Sequence, residues 1–239
     1  MPSGASASRF RNLSMIEYIV TENPDSRLIK RAAKLLSDGG LVAMPTDTSW
    51  AITASIASRE GRDRLLNLMP QDRQRSLTFI CADIQQTALY CELPDSAFRF
   101  IKPIVPGPFV FILKSTNKVA KQFSLKRAEI GVRIPRHPVP HAVIAELGLP
   151  LLSITARRTM IDKSEEKPEY PEAELFDGAW ELEDIPGLAL IVAGEEDCEK
   201  KITTVIDLRE GEPVLVRQGA GEFPDRKSTR LNSSHESPS

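Results

Sequence analysis

Short apolar segments alternate with amphipathic segments along most of the chain. Residues 15–20 are rich in β-branched residues and predict a strand. Asn23-Pro24 can begin a helix whose apolar residues recur at helical spacing until Gly39-Gly40. Further strands are predicted over 41–44, 77–81, 109–114, 131–134, 151–156, 188–192, 203–208 and 213–217. Further helices are predicted after Ser58 and over 83–90, 95–101 and 141–147.

This alternation predicts an α/β fold in which helices cover a sheet. The final strands follow one another with less helix between them, which favours some antiparallel pairing. We expect a single domain over residues 15–224 and a flexible N-terminus over 1–14. The stretch 161–184 is acidic and flanked by prolines, so it is interpreted as a loop-rich insert.

Composition excludes several protein classes. The 239 residues are 41% apolar and 27% charged, which is typical of a globular protein. No apolar run reaches the ~18–20 residues that span a bilayer, and the N-terminus has no apolar signal core. Three cysteines without a CxxC pattern argue against disulfides and structural zinc, and only three histidines are present. We therefore expect a cytoplasmic protein with no membrane association and no metal site.

The last fifteen residues do not resemble the rest. Residues 225–235 read DRKSTRLNSSH and have no apolar periodicity. One frame of a common short-read sequencing adapter encodes this same run of eleven residues. We interpret 225–239 as an adapter-derived, non-native tail; a natural Ser-rich tail is the alternative. The tail is left out of the fold prediction.

The near-zero net charge of −2 hides a strong asymmetry. Residues 1–160 carry 22 basic and 13 acidic side chains, a net charge of +9. Residues 161–200 carry 3 basic and 14 acidic side chains, a net charge of −11. A basic body suits a polyanion such as a nucleotide or RNA, although a solvated surface beside an acidic loop would have the same composition. The acidic insert is either a solvated loop or an electrostatic lid over a basic cleft.

No P-loop, dinucleotide fingerprint, HExxH or GxSxG motif is present, so candidate chemistry is sought where strands end. Thr46, Asp47, Thr48 and Ser49 follow a buried strand and could bind a hydroxylated, amino-bearing ligand. The alternative is a turn closed by its own hydroxyl hydrogen bonds.

Two other strand ends carry hydroxyl and guanidinium groups. Ser153 and Thr155 alternate with apolar residues and can share one face of the sheet, and Arg157-Arg158 follow and could hold phosphate. Exposed arginines are the alternative there. Arg133 and Arg136 flank another strand end, and Arg217 precedes a Gly-Ala-Gly turn that allows close approach of a ligand.

In this order the segments resemble the YrdC-like family, which includes the threonylcarbamoyl-AMP synthases, and especially its YciO branch. The resemblance spans residues 15–221. The matching segments are LVAMPTDTSWAI (41–52), LTFIC (77–81), PGPFVFIL (106–113), GVRIPRHP (131–138), LLSITA (151–156), TTVIDL (203–208) and VLVRQGAG (214–221).

The resemblance implies a twisted, open mixed sheet with helices on its faces and a basic concave cleft. It implies a nucleotidyltransferase reaction in which threonine, bicarbonate and ATP, with Mg²⁺, form threonylcarbamoyl-AMP and pyrophosphate for modification of adenosine 37 in tRNA. Some members are described as binding double-stranded RNA. Implied substrate-binding residues are Thr46, Thr48, Arg133 and His137. Implied nucleotide-binding residues are Ser153, Thr155, Arg157, Thr203, Thr204 and Arg217.

The chain departs from the synthases at two paired positions. Their Lys-x-Arg pair falls on Asn67 and Met69, and their Ser-x-Asn pair falls on Thr155 and Arg157, which become the candidate catalytic residues. Losing cationic groups removes electrostatic stabilisation of a kind worth ~10²-fold in rate per group. Two hypotheses remain open: a threonylcarbamoyl-AMP synthase-like enzyme, and a YciO-like protein that binds RNA or nucleotide with little synthase activity.

Overall fold

The computed structural model describes residues 15–69, 77–117, 129–162 and 170–224. The segments 1–14 and 225–239, to which the sequence assigns a flexible N-terminus and a foreign tail, lie outside these residues. The strands are β1 Met15–Tyr18, β2 Leu41–Met44, β3 Ala51–Ser55, β4 Thr78–Ile80, β5 Phe109–Lys114, β6 Glu129–Arg133, β7 Leu151–Thr155, β8 Leu188–Ala193, β9 Thr204–Asp207 and β10 Val214–Arg217. The α-helices are α1 Ser26–Ser37, α2 Arg59–Asn67, α3 Ile84–Tyr90, α4 Asp95–Ile101 and α5 Pro138–Leu147.

The ten strands of the described residues form one mixed sheet in the order β1-β8-β2-β3-β7-β4-β6-β5-β9-β10. Parallel pairs such as β2 with β8 occur beside antiparallel pairs such as β9 with β10. The α/β class and the antiparallel pairing expected near the end of the chain are therefore confirmed.

Helices cover both faces of this sheet. Phe79 and Ile80 are neighbours on β4, yet they enter different apolar clusters because successive strand residues point to opposite faces. The cluster around Ile80 is formed with buried residues of α1 and α5. The cluster around Phe79 includes buried residues of α2 and α4. Both faces of the central strands are thus removed from water.

The sheet is strongly curled. The backbone N–H of Lys201, just before β9, donates to the carbonyl of Thr48, just after β2, at 3.1 Å. These two strands are six steps apart in the sheet, and neighbouring strands are ~4.8 Å apart, so a flat sheet would separate them by ~29 Å. Twist and curl bring the loop after β2 against the segment before β9 and create a concave side.

Three sequence expectations need correction. Helix α1 begins at Ser26 with Asp25 as its N-cap, and not at Asn23-Pro24. No strand is predicted over 51–55, whereas β3 forms there and pairs with both β2 and β7. The segment Ala-Ile-Thr-Ala-Ser is short and rich in small residues, and its neighbours in the sheet stabilise it as a strand.

The solvated-loop interpretation of the acidic insert is wrong for its described part, 170–184. Short 3-10 turns form at Pro171–Glu174 and Ala179–Leu182. Leu175, Phe176 and Leu182 are at most 2% exposed. Apolar residues spaced among the carboxylates anchor the insert to the apolar core.

Candidate functional site

The loop between β2 and β3 is closed by its own threonine. The Thr46 hydroxyl donates to the Ser49 carbonyl at 2.6 Å and accepts from the backbone N–H of Thr48 and of Ser49. Thr46 is 3% exposed and Thr48 is fully buried. The local turn considered from the sequence therefore exists, and it holds two hydroxyl groups inside the protein rather than in solvent.

Arg133 reaches this loop from the end of β6. Its Nη2 donates to the Thr48 hydroxyl at 2.8 Å, to the Thr46 hydroxyl at 3.1 Å and to Asp47 Oδ1 at 2.5 Å. Arg133 is 6% exposed, and its Nε is buried without a hydrogen-bond partner among the described residues. Burial lowers the pKa of Arg133 and Asp47 opposes that shift; the guanidinium stays charged at neutral pH. Because the hydrogen bonds of Arg133 to the described residues all come from Nη2, the Nε and Nη1 donors of this buried cation are left for a ligand.

Asp47 ties Arg133 to the start of α5. Its Oδ1 faces Arg133, and its Oδ2 accepts the backbone N–H of Arg136 at 2.9 Å. The next residue, His137, is the N-cap of α5, and its Nδ1 accepts the Val139 N–H at 3.3 Å. A carboxylate, a guanidinium and a helix N-terminus therefore meet at one point.

The hydrogen bond of His137 determines which of its ring nitrogens carries the proton. Because Nδ1 accepts a backbone N–H, the neutral ring carries its proton on Nε2 and offers a donor there. Burial lowers the pKa of His137 to about 4; Asp47 opposes the shift, and His141 and Arg133 add to it. At neutral pH His137 is an uncharged hydrogen-bond donor.

This buried histidine should make stability fall as the pH drops from 7 to 5. The unfolded chain takes up a proton near pH 6.5 and the folded chain does so only near pH 4, so the free energy of unfolding falls by ~1.4 kcal/mol per pH unit between these values. Urea unfolding should show a contribution of about 2 kcal/mol by pH 5. His137→Asn keeps a helix cap without titrating and should lack this contribution; equal losses in both proteins would contradict the assignment.

A second cluster of polar residues surrounds the start of β9. Arg217 donates to the Thr203 carbonyl at 2.8 Å and to the Thr203 hydroxyl at 3.0 Å. Thr204 is fully buried; its hydroxyl donates to the Gly221 carbonyl at 2.5 Å and accepts the Gly219 N–H at 2.9 Å. A Cβ on Gly219 would lie 2.4 Å from backbone atoms of Ile202 and Thr203, so only glycine permits this approach. The turn after β10 is locked onto β9, with Arg217 at its start.

Thr204→Val should destabilise the protein by about 1–3 kcal/mol. Valine has nearly the same shape, but it leaves the half-buried Gly219 N–H without its acceptor. Thr204→Ser retains the hydroxyl and should cost clearly less. Thermal or urea unfolding of both variants checks the difference, and equal stabilities would show that the hydroxyl is not what holds the turn.

Arg157 is paired with the acidic insert. Its Nη1 lies 2.5 Å from Glu174 Oε2, and the two side chains are 19% and 6% exposed. The neighbouring Arg158 pairs with Asp177 and Glu181. The exposed-arginine alternative therefore does not hold for Arg157. Glu174 is a residue that the sequence reasoning missed, because composition shows that the insert is acidic but not which carboxylate reaches an arginine.

One chain segment connects the polar residues around Arg133 with those around the start of β9. The Cys198 thiol sits against the backbone of Thr46, and burial raises its pKa to about 12, so it is not a nucleophile at neutral pH. Lys201 then bonds to the loop after β2, and Thr203 meets Arg217.

The other predicted site residues lie in β7 or beside α2. Ser153 is buried and donates to the Thr78 carbonyl at 3.2 Å, and Thr155 is half-buried opposite Ala51. Asn67 is the exposed last residue of α2, whereas Met69 is 9% exposed within the apolar core. Met69 therefore contributes to packing. The sequence also offers four arginines that could replace the missing cations: Arg62, Arg64, Arg73 and Arg75. Arg62 and Arg64 lie on α2, where Arg64 pairs with Glu60, and the other two lie outside the described residues.

The described residues hold no group of three or more His, Cys, Asp or Glu side chains arranged for a metal ion. Within the same ranges, each helix is too short or too polar to cross a bilayer.

Comparison with known proteins identifies the family. The model of the Sua5/YciO/YrdC family, described as "telomere recombination", matches residues 34–219. The chain belongs to the Sua5/YciO/YrdC family. The YciO protein of Escherichia coli K12 is 33% identical over 211 residues, which cover 88% of this chain and 98% of that one.

Other members of the family are also similar. The threonylcarbamoyl-AMP synthase of Halorhodospira halophila is 30% identical over 129 residues, 54% of this chain and 68% of that protein. The crystal structure of E. coli YciO matches with a TM-score of 0.74 and 31% identity over 87% of this chain and 97% of that one. Pyrococcus abyssi Sua5 in complex with L-threonine matches with a TM-score of 0.71 and 26% identity over 86% of this chain and 58% of that one. The curled sheet is thus the fold of this family.

Proposed function

We propose that this protein binds L-threonine and an adenine nucleotide on its concave side and forms threonylcarbamoyl-AMP, with pyrophosphate as the second product. The observation that carries the proposal is the buried Arg133 guanidinium, which contacts two threonine hydroxyls and retains an unpartnered Nε. The similarity to a Sua5 protein whose structure contains L-threonine supports it.

The charges around Arg133 suit a zwitterion. A guanidinium binds a carboxylate through paired N–H donors, and among the described residues Arg133 donates through Nη2 alone, which leaves Nε and Nη1. Asp47 is the nearest carboxylate and can accept from an ammonium group. Because Asp47 and Arg133 balance each other, a neutral amino acid adds no net charge to the site. The Thr46 and Thr48 hydroxyls can orient its side-chain oxygen.

The nucleotide would be held by the polar residues around the start of β9 and by the end of β7. Arg217 with Thr203 and the Gly219 turn offer a cation, a hydroxyl and close backbone approach, which are the elements of phosphate binding. ATP would arrive as its magnesium complex. In this proposal Arg157 approaches the phosphates from the opposite side.

The reaction needs positioning more than a covalent intermediate. The threonine ammonium group first loses a proton to solvent. The resulting amine attacks the carbon of bicarbonate, water leaves, and a carboxylate on nitrogen forms. An oxygen of that carboxylate attacks the α-phosphorus of ATP, and the bond to the β-phosphate oxygen breaks to release pyrophosphate. In this chain Arg217 would neutralise developing phosphate charge, and His137 Nε2–H would donate to an oxygen of the carboxylated threonine.

The forward reaction should be slow. Met69 cannot donate a hydrogen bond and is buried among apolar residues, so neither it nor Asn67 supplies the positive charge that the synthases carry in their Lys-x-Arg pair. A missing stabilising group costs ~10²-fold in rate. The product would serve modification of adenosine 37 in tRNA, which is the role of the family's synthases.

The test is pyrophosphate release from ATP by the full chain, with and without L-threonine and bicarbonate. We expect release that requires both, and loss of at least tenfold in Thr48→Val. Thr53→Val is the matched control, because Thr53 is equally buried but donates to the Val42 carbonyl. Background release together with double-stranded RNA binding that weakens steeply with salt would replace the synthase proposal with the RNA-binding alternative.

A further inference from the structure

The acidic insert places one carboxylate against a cation at the end of β7. Glu174 ends the 3-10 turn Pro171–Glu174 and is 5% exposed. Its Oε2 lies 2.5 Å from Arg157 Nη1, and the Arg157 side chain is only 19% exposed. Such a short, sheltered ion pair is screened far less by solvent than a surface pair.

Buried neighbours fix Glu174 in this position. Leu175 and Phe176 follow it directly and are at most 2% exposed. The Arg158 guanidinium lies 5.2 Å from the centre of the Phe176 ring and also pairs with Asp177. Glu174 is therefore held by the packing of the insert and is not a mobile surface carboxylate.

The charge of Arg157 extends to Arg217. Burial lowers the pKa of Arg217, the positive charge of Arg157 lowers it further, and Glu172 opposes both effects. The turn that carries Glu172 and Glu174 thus acts on both arginines. A ligand phosphate near Arg217 would interact with the charges of both arginines and both glutamates.

We propose that Glu174 is a specificity-determining residue which, by neutralising Arg157, makes the site discriminate against ligands of high negative charge. This inference rests on the proposed nucleotide site and adds the class of ligand: phosphates of low charge in preference to a free triphosphate. Glu174 acts through Arg157 and is a positioning residue, not a catalytic one.

The expected effect depends on the charge of the ligand. Removing one negative charge near the site changes the binding free energy of a ligand in proportion to the charge of that ligand. Metal-free ATP carries about four negative charges and AMP about two, so the change in binding free energy should be about twice as large for ATP. Glu174→Gln should therefore tighten ATP by about tenfold and AMP by about threefold. Arg157→Gln should weaken them by similar factors, and the double variant should return close to the wild-type affinities.

The experiment is isothermal titration of ATP and AMP, in metal-free buffer, into the full chain and these variants. Asp184→Asn is the matched control, because it removes one charge from an exposed residue of the same insert and should leave the ATP-to-AMP affinity ratio unchanged. The proposal is supported if the ATP-to-AMP affinity ratio rises about threefold in Glu174→Gln and returns to the wild-type value in the double variant. Should Glu174→Gln fold poorly, the comparison of Arg157→Gln with the double variant gives the same test.

Two negative outcomes have different meanings. If ATP and AMP bind the wild type but the ratio is the same in Glu174→Gln, or changes equally in Asp184→Asn, the role of Glu174 is wrong and the nucleotide site stands. If neither nucleotide binds the wild type or any variant, the proposed function is wrong and this inference is overturned with it.

Discussion

Replacing Arg133 with Met should abolish measurable L-threonine binding and lower the free energy of unfolding by about 3–5 kcal/mol. The stability loss follows from removing one partner of a buried ion pair, which leaves the Asp47 carboxylate without its cation. The binding loss follows from removing the unpartnered Nε, which is the proposed carboxylate donor. Urea unfolding and calorimetric titration measure the two effects separately.

The double variant Arg133→Met, Asp47→Asn separates these effects. It removes both charges, so it should recover a substantial part of the stability lost in the single variant while threonine binding stays absent. Arg209→Gln is the control, because Arg209 forms its ion pairs with Asp207 and Glu129 on the surface. Normal threonine binding by the folded double variant would refute the assigned role of Arg133.

The second large effect is expected at Arg157. Arg157→Met should destabilise the protein by about 3 kcal/mol, because Glu174 is 5% exposed and would lose the guanidinium 2.5 Å away. The cost lies at the low end of the range for buried pairs because Arg157 keeps some solvent exposure. Thermal and urea unfolding provide the measurement.

Replacing both members of the pair is the control for Arg157. Arg157→Met with Glu174→Met leaves no buried charge and should be more stable than Arg157→Met alone by at least 1 kcal/mol. If the single and double variants are equally stable, the ion pair makes no contribution and the insert is held by its apolar residues only.

The fold was largely predictable because its elements are encoded locally. Helix α1 follows from apolar spacing and ends near Gly39, which has φ +86°. Strand β3 was not predictable, because its residues have no strong strand pattern and pairing with β2 and β7 stabilises it. The buried part of the insert was missed because carboxylates dominate its composition, although Phe176 and Leu182 lie among them.

The sequence indicates candidate site residues but not how they pair. The position of Thr46 after a buried strand and the resemblance to the YrdC-like family indicated the residues. That Arg133 would reach Asp47 depends on the curl of the sheet, since β2 and β6 are four strands apart and a flat sheet would separate them by ~19 Å. The contact of Glu174 with Arg157 likewise depends on how the insert packs.

Titration of L-threonine into the full chain tests the central claim most directly. We expect binding of one threonine per chain in the wild type, no binding in the double variant at Arg133 and Asp47, and unchanged binding in Arg209→Gln. D-threonine should bind more weakly, because the hydroxyls of Thr46 and Thr48 are fixed relative to Arg133. Absence of threonine binding by the wild type, or equal affinity in the double variant, would contradict it.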